Sequence, residues 1–399
     1  MPPPRHQGFV QPGGTGPDGW LAPTDVERRL YEAKMRGDWA AFFDVLAGTY
    51  LYWPVSRAEA EAGRTPHAPF RSPVTGTWCF AYYTEGVLPV PQPDPVFEPR
   101  SFSYVVRTWG NDNRWLAINP GTPGEAYFPA NPQTLHLWRQ HAERISPAEC
   151  GTLRTLRVGG PLQGAVAHGL GCGALFAVKN GELWNALAFH GSGFVDERNS
   201  LEKWWGVKSP EEWRETLHSL LNAEYVSRVW EFALSVRRSL ARQYGGTVDT
   251  ALWREAAAHV MRRNAEPETV PQSALNGVQQ LIGRITRYEA RFRADGLLPE
   301  GRHVRSVLAW DYGRAVSMAR WGVAARFGDV AEAEAAVLRA GQAAQVAYRS
   351  WEDFGAGFVL GRCLHFDEEE FGPWYREVAE GCKVLTSDPE SPWLTLPWR

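Results

Sequence analysis

Trp310-Asp311-Tyr312-Gly313-Arg314-Ala315-Val316 runs into Ala319-Arg320-Trp321-Gly322, and this stretch decides how the larger part of the chain is read. Tryptophan, arginine and small residues recur in it at spacings of three and four, which is the period of one helical face. The same pattern returns at Ser350-Trp351-Glu352-Asp353-Phe354 and Gly361-Arg362, and the chain closes on Ser391-Pro392-Trp393-Leu394-Thr395-Leu396-Pro397-Trp398. A packed helical domain with charged residues built into it is therefore expected, and no reaction is specified.

Helix punctuation extends that reading toward the N-terminus. Ser209-Pro210-Glu211-Glu212 combines an N-cap, Pro at the first helical position and an acid at the third. Amphipathic stretches follow at 211–222, 224–243, 250–263 and 272–294, and capping boxes at Asp329 and Ser350 start two more helices. Before about residue 161 the character differs. Thr24-Asp25-Val26-Glu27 reads as a capping box, and Asp38 caps a second helix that Gly48 ends. Strands are predicted at 49–55, 77–84, 101–108, 115–118 and 125–128, with 56–76 as a polar, Pro-rich loop. The predicted class is α+β. A flexible tail (1–20) precedes a small domain at 21–145 with a mostly antiparallel sheet. A linker at 146–183 carries an apolar Gly/Ala-rich helix, and a mainly helical domain fills 184–399.

Composition narrows the function classes. A chain of 399 residues with 44% hydrophobic and 22% charged residues suits two soluble globular units. The formal net charge of −3 offers nothing to attract nucleic acid or an anionic membrane. Only five of the 42 basic residues are lysine, a bias that reads as GC-rich coding. The five cysteines form no CxxC pair, so neither a zinc site nor a disulfide framework is expected. The Pro/Gly-rich start has no apolar core of a signal peptide, and a cytoplasmic location is expected. The most apolar stretch, 161–178, is too short to span a bilayer and contains Gln163 and His168, so it is read as a buried core helix.

Two resemblances carry further. Phe42 to Pro129, above all Leu51-Tyr52-Trp53-Pro54-Val55 and Trp115-Leu116-Ala117-Ile118-Asn119-Pro120-Gly121-Thr122-Pro123, resembles the SseB N-terminal-like domain. From Trp184 onward the chain is similar to the uncharacterised domain of YbeU- and YbeR-like bacterial proteins. That likeness rests on Trp204-Trp205-Gly206-Val207, Asp311 with Arg314, Ala319-Arg320-Trp321-Gly322, Ser350-Trp351, Gly361-Arg362 and Ser391-Pro392-Trp393. Neither family brings a catalytic constellation. The resemblance implies an association with secretion or toxin–immunity systems.

Motif by motif, the chemistry stays bland. Gly169-Leu170-Gly171-Cys172-Gly173-Ala174 matches the dinucleotide fingerprint, but no strand precedes it and no long helix follows. Close helix packing through Gly169, Gly173 and Ala177 accounts for it better, and no cofactor is expected. His136 and His141 lie on different helical faces and no HExxH occurs, so no metal is expected. Gly191-Ser192-Gly193 lacks the outer glycine of a nucleophile elbow, and 367–370 reads as a solvated acidic loop. Charged residues embedded among Trp and Gly remain: Asp311, Arg314, Arg320, Asp353, Arg362 and His365. Paired, covered arginines of this kind are expected to serve the fold first. The leading expectation is a non-enzymatic module with a protein partner, no nucleic acid and no stable membrane insertion. The alternative is an enzyme of unrecognised, hydrolytic type using those six residues as an Asp/Arg/His cleft.

Overall fold

The computed structural model describes residues 19–89, 96–110, 113–147, 151–188, 193–265 and 270–399. The fold is α+β, and the chain divides into two compact units. One takes in residues up to Pro147 together with Arg157–Gly159, and the other Ala148–Leu156 and Gly160–Arg399. Most of the tail expected at 1–20 lies outside the described residues.

The first unit opens with α1 (Asp25–Arg36) and α2 (Trp39–Ala47), followed by β1 (Tyr50–Val55), α3 (Arg57–Glu61), β2 (Phe70–Arg71) and β3 (Trp78–Tyr82). β4 (Val96–Ser101), α4 (Phe102–Thr108), β5 (Trp115–Ile118), β6 (Ala126–Pro129) and α5 (Pro132–Arg144) complete it. β1 pairs antiparallel with β4, while β2, β3, β5 and β6 form a sheet in that order whose β3–β5 pair is parallel. Phe42, Phe43, Leu51, Phe102, Leu116, Ile118 and Trp138 fill its core.

Three local readings are corrected here. Residues 102–108 form α4 instead of a strand, because Ser101 Oγ accepts the Tyr104 N–H at 3.2 Å and Phe102, Val105 and Val106 then fall on one buried face. That three-and-four spacing outweighs the strand preference of the two valines. The loop expected at 56–76 contains α3, capped by Ser56, and the short strand β2. At α1, Thr24 does accept from Val26 N at 3.2 Å, but Glu27 closes no capping box. Its carboxylate is buried and instead takes the Thr24 and Thr84 hydroxyls and the Gly86 N–H at 3.1 Å.

The second unit holds no named strand among its described residues. α6 (Gly164–Cys172) and α7 (Ala174–Asn180) meet at Gly173 and belong to this unit's core, so the apolar segment placed in a linker is interior packing. α8 (Phe194–Trp205), α9 (Pro210–Leu221), α10 (Arg228–Tyr244), α11 (Thr250–Asn264) and α12 (Gln272–Ala294) follow. α13 (Ala309–Ala324), α14 (Val330–Ala347), α15 (Trp351–Phe366), α16 (Pro373–Ser387) and α17 (Pro392–Thr395) close the chain. Ser209 and Ser350 cap as read, and Asp329 with Glu332 makes a complete capping box. The glycines of 169–173 seat three different helices. A Cβ on Gly169 would strike the backbone of Val337 in α14. On Gly171 it would lie 2.8 Å from Trp351 in α15, and on Gly173 2.6 Å from Val316 in α13. Between α10 and α12, Arg237 holds Glu289 through two bonds of 2.9 and 2.6 Å and stacks on Trp253 at 4.1 Å. Among the described residues no helix is long and apolar enough to cross a membrane.

Candidate functional site

α13 and α15 approach closely because each presents glycine at the crossing. A Cβ on Gly361 would lie 2.6 Å from Trp310 Cβ, and one on Gly313 would lie 2.5 Å from the Phe358 ring. This contact brings two guanidinium groups close to the Trp310 indole. Arg314, one turn along α13, lies 4.6 Å from the ring centroid, and Arg362 of α15 lies 5.7 Å from it. Five other buried tryptophans of this unit fasten their N–H to a backbone carbonyl, and Trp184 donates to the Thr155 hydroxyl. Trp213 reaches Met318 at 2.8 Å, Trp351 reaches Leu396 at 2.9 Å and Trp393 reaches Gly171 at 3.0 Å. Trp310 Nε1 is buried with no partner.

Around that ring the charges are closely committed. Asp311 is fully buried. Its Oδ2 accepts the N–H groups of Tyr225 and Val226 at 2.9 and 3.0 Å, and its Oδ1 pairs with Arg314 Nη2. Burial pushes the Asp311 carboxyl up and the Arg314 guanidinium down, while their mutual attraction opposes both shifts. Arg314 Nε donates to the Trp310 carbonyl at 3.3 Å, and Trp205 and Tyr225 frame its guanidinium at 5.6 and 5.5 Å. Arg362 Nε donates to the Trp374 carbonyl at 3.2 Å, and its Nη2 donates to Glu377 at 3.0 Å. Phe366 and Trp374 stack on one another at 4.9 Å and lie 5.8 and 5.1 Å from that guanidinium. His365 is exposed beside Phe366, its pKa lowered by burial of part of the ring and then by the charge of Arg314.

Four of the six candidate residues, Asp311, Arg314, Arg362 and His365, thus gather around Trp310. The other two do not. Arg320 donates to the carbonyls of Ala186 and Leu183 at 2.8 and 2.6 Å and lies 3.3 Å from Glu182, which ties residues 182–186 to α13. Asp353 sits in the first turn of α15, roughly 13 Å along the helix from Arg362, and accepts the Arg349 N–H at 3.1 Å. Tyr225, Phe366, Trp374 and Glu377 were not singled out in the sequence. Tyr225 precedes a cap and Trp374 follows a Pro, and nothing local says that either reaches α13 or α15. Among the described residues no group of three or more His, Cys, Asp or Glu is arranged to hold a metal ion.

Residues 200–398 match a family model described as "Protein of unknown function (DUF1266)". That span contains the whole Trp310 cluster and excludes Phe42–Pro129, the region of the SseB-like resemblance. No curated protein and no solved structure matches the chain.

Proposed function

We propose that the protein is a non-enzymatic interaction module of the bacterial cytoplasm whose partner is a protein of a secretion or toxin–immunity system. One observation carries the interaction reading: large aromatic side chains lie open on the rim of the Trp310 cluster. Tyr225 is 47% exposed, Trp374 43% and Phe366 39%, and ring contacts through Arg314 and Trp310 join them into one face. Aromatic residues and arginine dominate interface hot spots, and three such rings on one face are an unusual cost for a surface with no partner. The association with secretion or toxin–immunity systems rests on the sequence resemblance alone.

The hydrolytic alternative has the convergence of Asp311, Arg314, Arg362 and His365 in its favour. Its difficulty is the carboxylate. Asp311 already receives two backbone N–H groups on one oxygen and Arg314 on the other, which leaves it poorly placed to orient His365 as a general base. The test is affinity capture from native cytoplasm with the intact chain and with a Phe366→Ser/Trp374→Ser double variant. Two hot-spot truncations of about 2 kcal/mol each should weaken capture roughly 1,000-fold at an unchanged melting temperature. Equal recovery of the same proteins by both chains would overturn the reading.

A further inference from the structure

Five arginines gather where the C-terminal half of α10, the segment 302–306 and the turn between α14 and α15 meet. Arg238 of α10 donates to the Arg305 carbonyl, Arg242 donates to the Arg238 carbonyl at 3.3 Å, and Arg305 Nε donates to the Ala347 carbonyl at 2.8 Å. The Arg349 N–H meets the Asp353 carboxylate at 3.1 Å. Burial lowers the Arg305 pKa, and the charges of Arg349, Arg238 and Arg242 lower it further while Asp353 opposes them. Burial raises the pKa of Asp353, opposed by the Arg349 N–H and then by the charges of Arg305, Arg349 and Arg302. Two carboxylates stand among these arginines, and both are engaged. Glu231 takes the Ser306 hydroxyl and the Val307 N–H at 2.8 and 2.6 Å on one oxygen, and its other oxygen lies 3.5 Å from Arg238. Asp353 holds its own turn. Arg242, Arg302 and Arg349 are exposed, and among the described residues neither they nor Arg305 form an ion pair. The neighbouring acids Glu300 and Glu352 form none either. Like charges held together in this way raise the energy of the empty surface, and a bound anion relieves it.

We infer that this arginine cluster is a binding site for a phosphate monoester. Arg302, Arg349 and Arg242, exposed and unpaired, supply the planar forks that receive its oxygens, and Arg305, anchored to Ala347 through Nε, offers its remaining edge. A phosphate monoester carries close to two negative charges on three acceptor oxygens, so one such group engages several guanidinium forks at once, which a single carboxylate does less well. The site is separate from the Trp310 face, since Asp353 sits roughly 13 Å along α15 from Arg362. A nucleic-acid strand fits less well. The arginines cluster around one turn instead of following a stripe, and the whole chain carries a formal net charge of −3.

The experiment titrates the intact chain with two phosphate monoesters, phosphoserine as the free amino acid and a degenerate peptide pool with one central phosphoserine. Each is measured beside its unphosphorylated twin at equal ionic strength. At least one phosphorylated probe should bind about tenfold or more tightly than its twin, and Arg302→Gln/Arg349→Gln should weaken that binding by about tenfold or more. Both replaced side chains are exposed and unpaired, so the variant should melt at the same temperature as the wild type or higher. Binding of the free amino acid as tightly as the pool supports the site with a small phosphorylated molecule as its ligand, and preference for the pool supports it with a phosphorylated protein segment. No phosphate-dependent binding by either probe, or such binding that the double variant keeps, would overturn the inference. A DNA duplex bound when neither monoester is would overturn it in favour of a polyanion surface.

Discussion

Arg320 shows how this chain uses a charge as a fastener. Its guanidinium is almost fully buried and ends on two backbone carbonyls and Glu182, far along α13 from the Trp310 cluster. Removing it leaves those acceptors unpaired, at a cost of roughly 3–5 kcal/mol. Arg320→Ala is therefore expected to lower the melting temperature by roughly 6–20 °C or to yield insoluble protein. Normal melting would mean that the arginine has a role other than packing. Arg362, whose partner Glu377 is half-exposed, loses less on the same change. In the first unit His67 makes the opposite case, a base kept neutral. Its ring stacks on Trp53 at 4.8 Å and meets the Tyr82 edge, and burial pushes its pKa down to about 4. Below its ordinary pKa of about 6.5 the unfolded chain takes up a proton that the fold refuses. Stability is thus full above about pH 6.5 and falls as pH drops toward 4, by roughly 3 kcal/mol in all. Thermal melts at pH 7 and 4.5 should show this loss for the wild type and a smaller one for His67→Phe. An imidazole titrating near 6.5 by NMR would refute it.

At the scale of elements, the recurring device is a tryptophan seated on a glycine of a neighbouring helix. Trp213 of α9 is fully buried over Gly322, Trp310 over Gly361, and Trp393 lies 2.7 Å from where a Cβ on Gly355 would stand. A Cβ at Gly322 would fall inside the Trp213 ring and break its bond to Met318. Gly322→Ala is expected to destabilise by about 3 kcal/mol, a fall in melting temperature of roughly 6–12 °C. Gly277, exposed on α12 with nothing within 4 Å, is the control. There the same change removes chain entropy without a clash and should stabilise by roughly 0.5–1 kcal/mol. Equal responses at the two positions would remove the seat argument. Helix starts were the most legible elements, since a cap is a local bond between a side chain and a backbone N–H two or three residues on. Ser101 is the instructive failure. Its cap was present in the sequence, but the valines that follow suggested a strand, and only the burial of one face decides between them.

For the whole molecule, each compact unit owns a separate core, with Trp138, Phe42 and Phe43 at the centre of one and α13 at the centre of the other. A fragment comprising residues 148–399 is accordingly expected to fold alone, with helical circular dichroism and a single cooperative melt. A fragment that stays unfolded at neutral pH would show that its core depends on the remainder of the chain. Helical spacing, caps and the change of character near residue 161 were enough to establish the α+β class and the mainly helical C-terminal region. These signals depend on neighbours a few residues apart. The burial of the apolar 161–178 stretch and its close packing through glycine were legible as well, but which helices those glycines seat and the gathering of Arg314, Arg362 and His365 around Trp310 join residues up to about two hundred positions apart. Such contacts have no local spacing to betray them. The same holds for Arg320 and Asp353, which share a residue pattern with that cluster and end elsewhere. Which charges meet is decided by which helix faces can close on one another, and that depends on the volumes of side chains from distant parts of the chain.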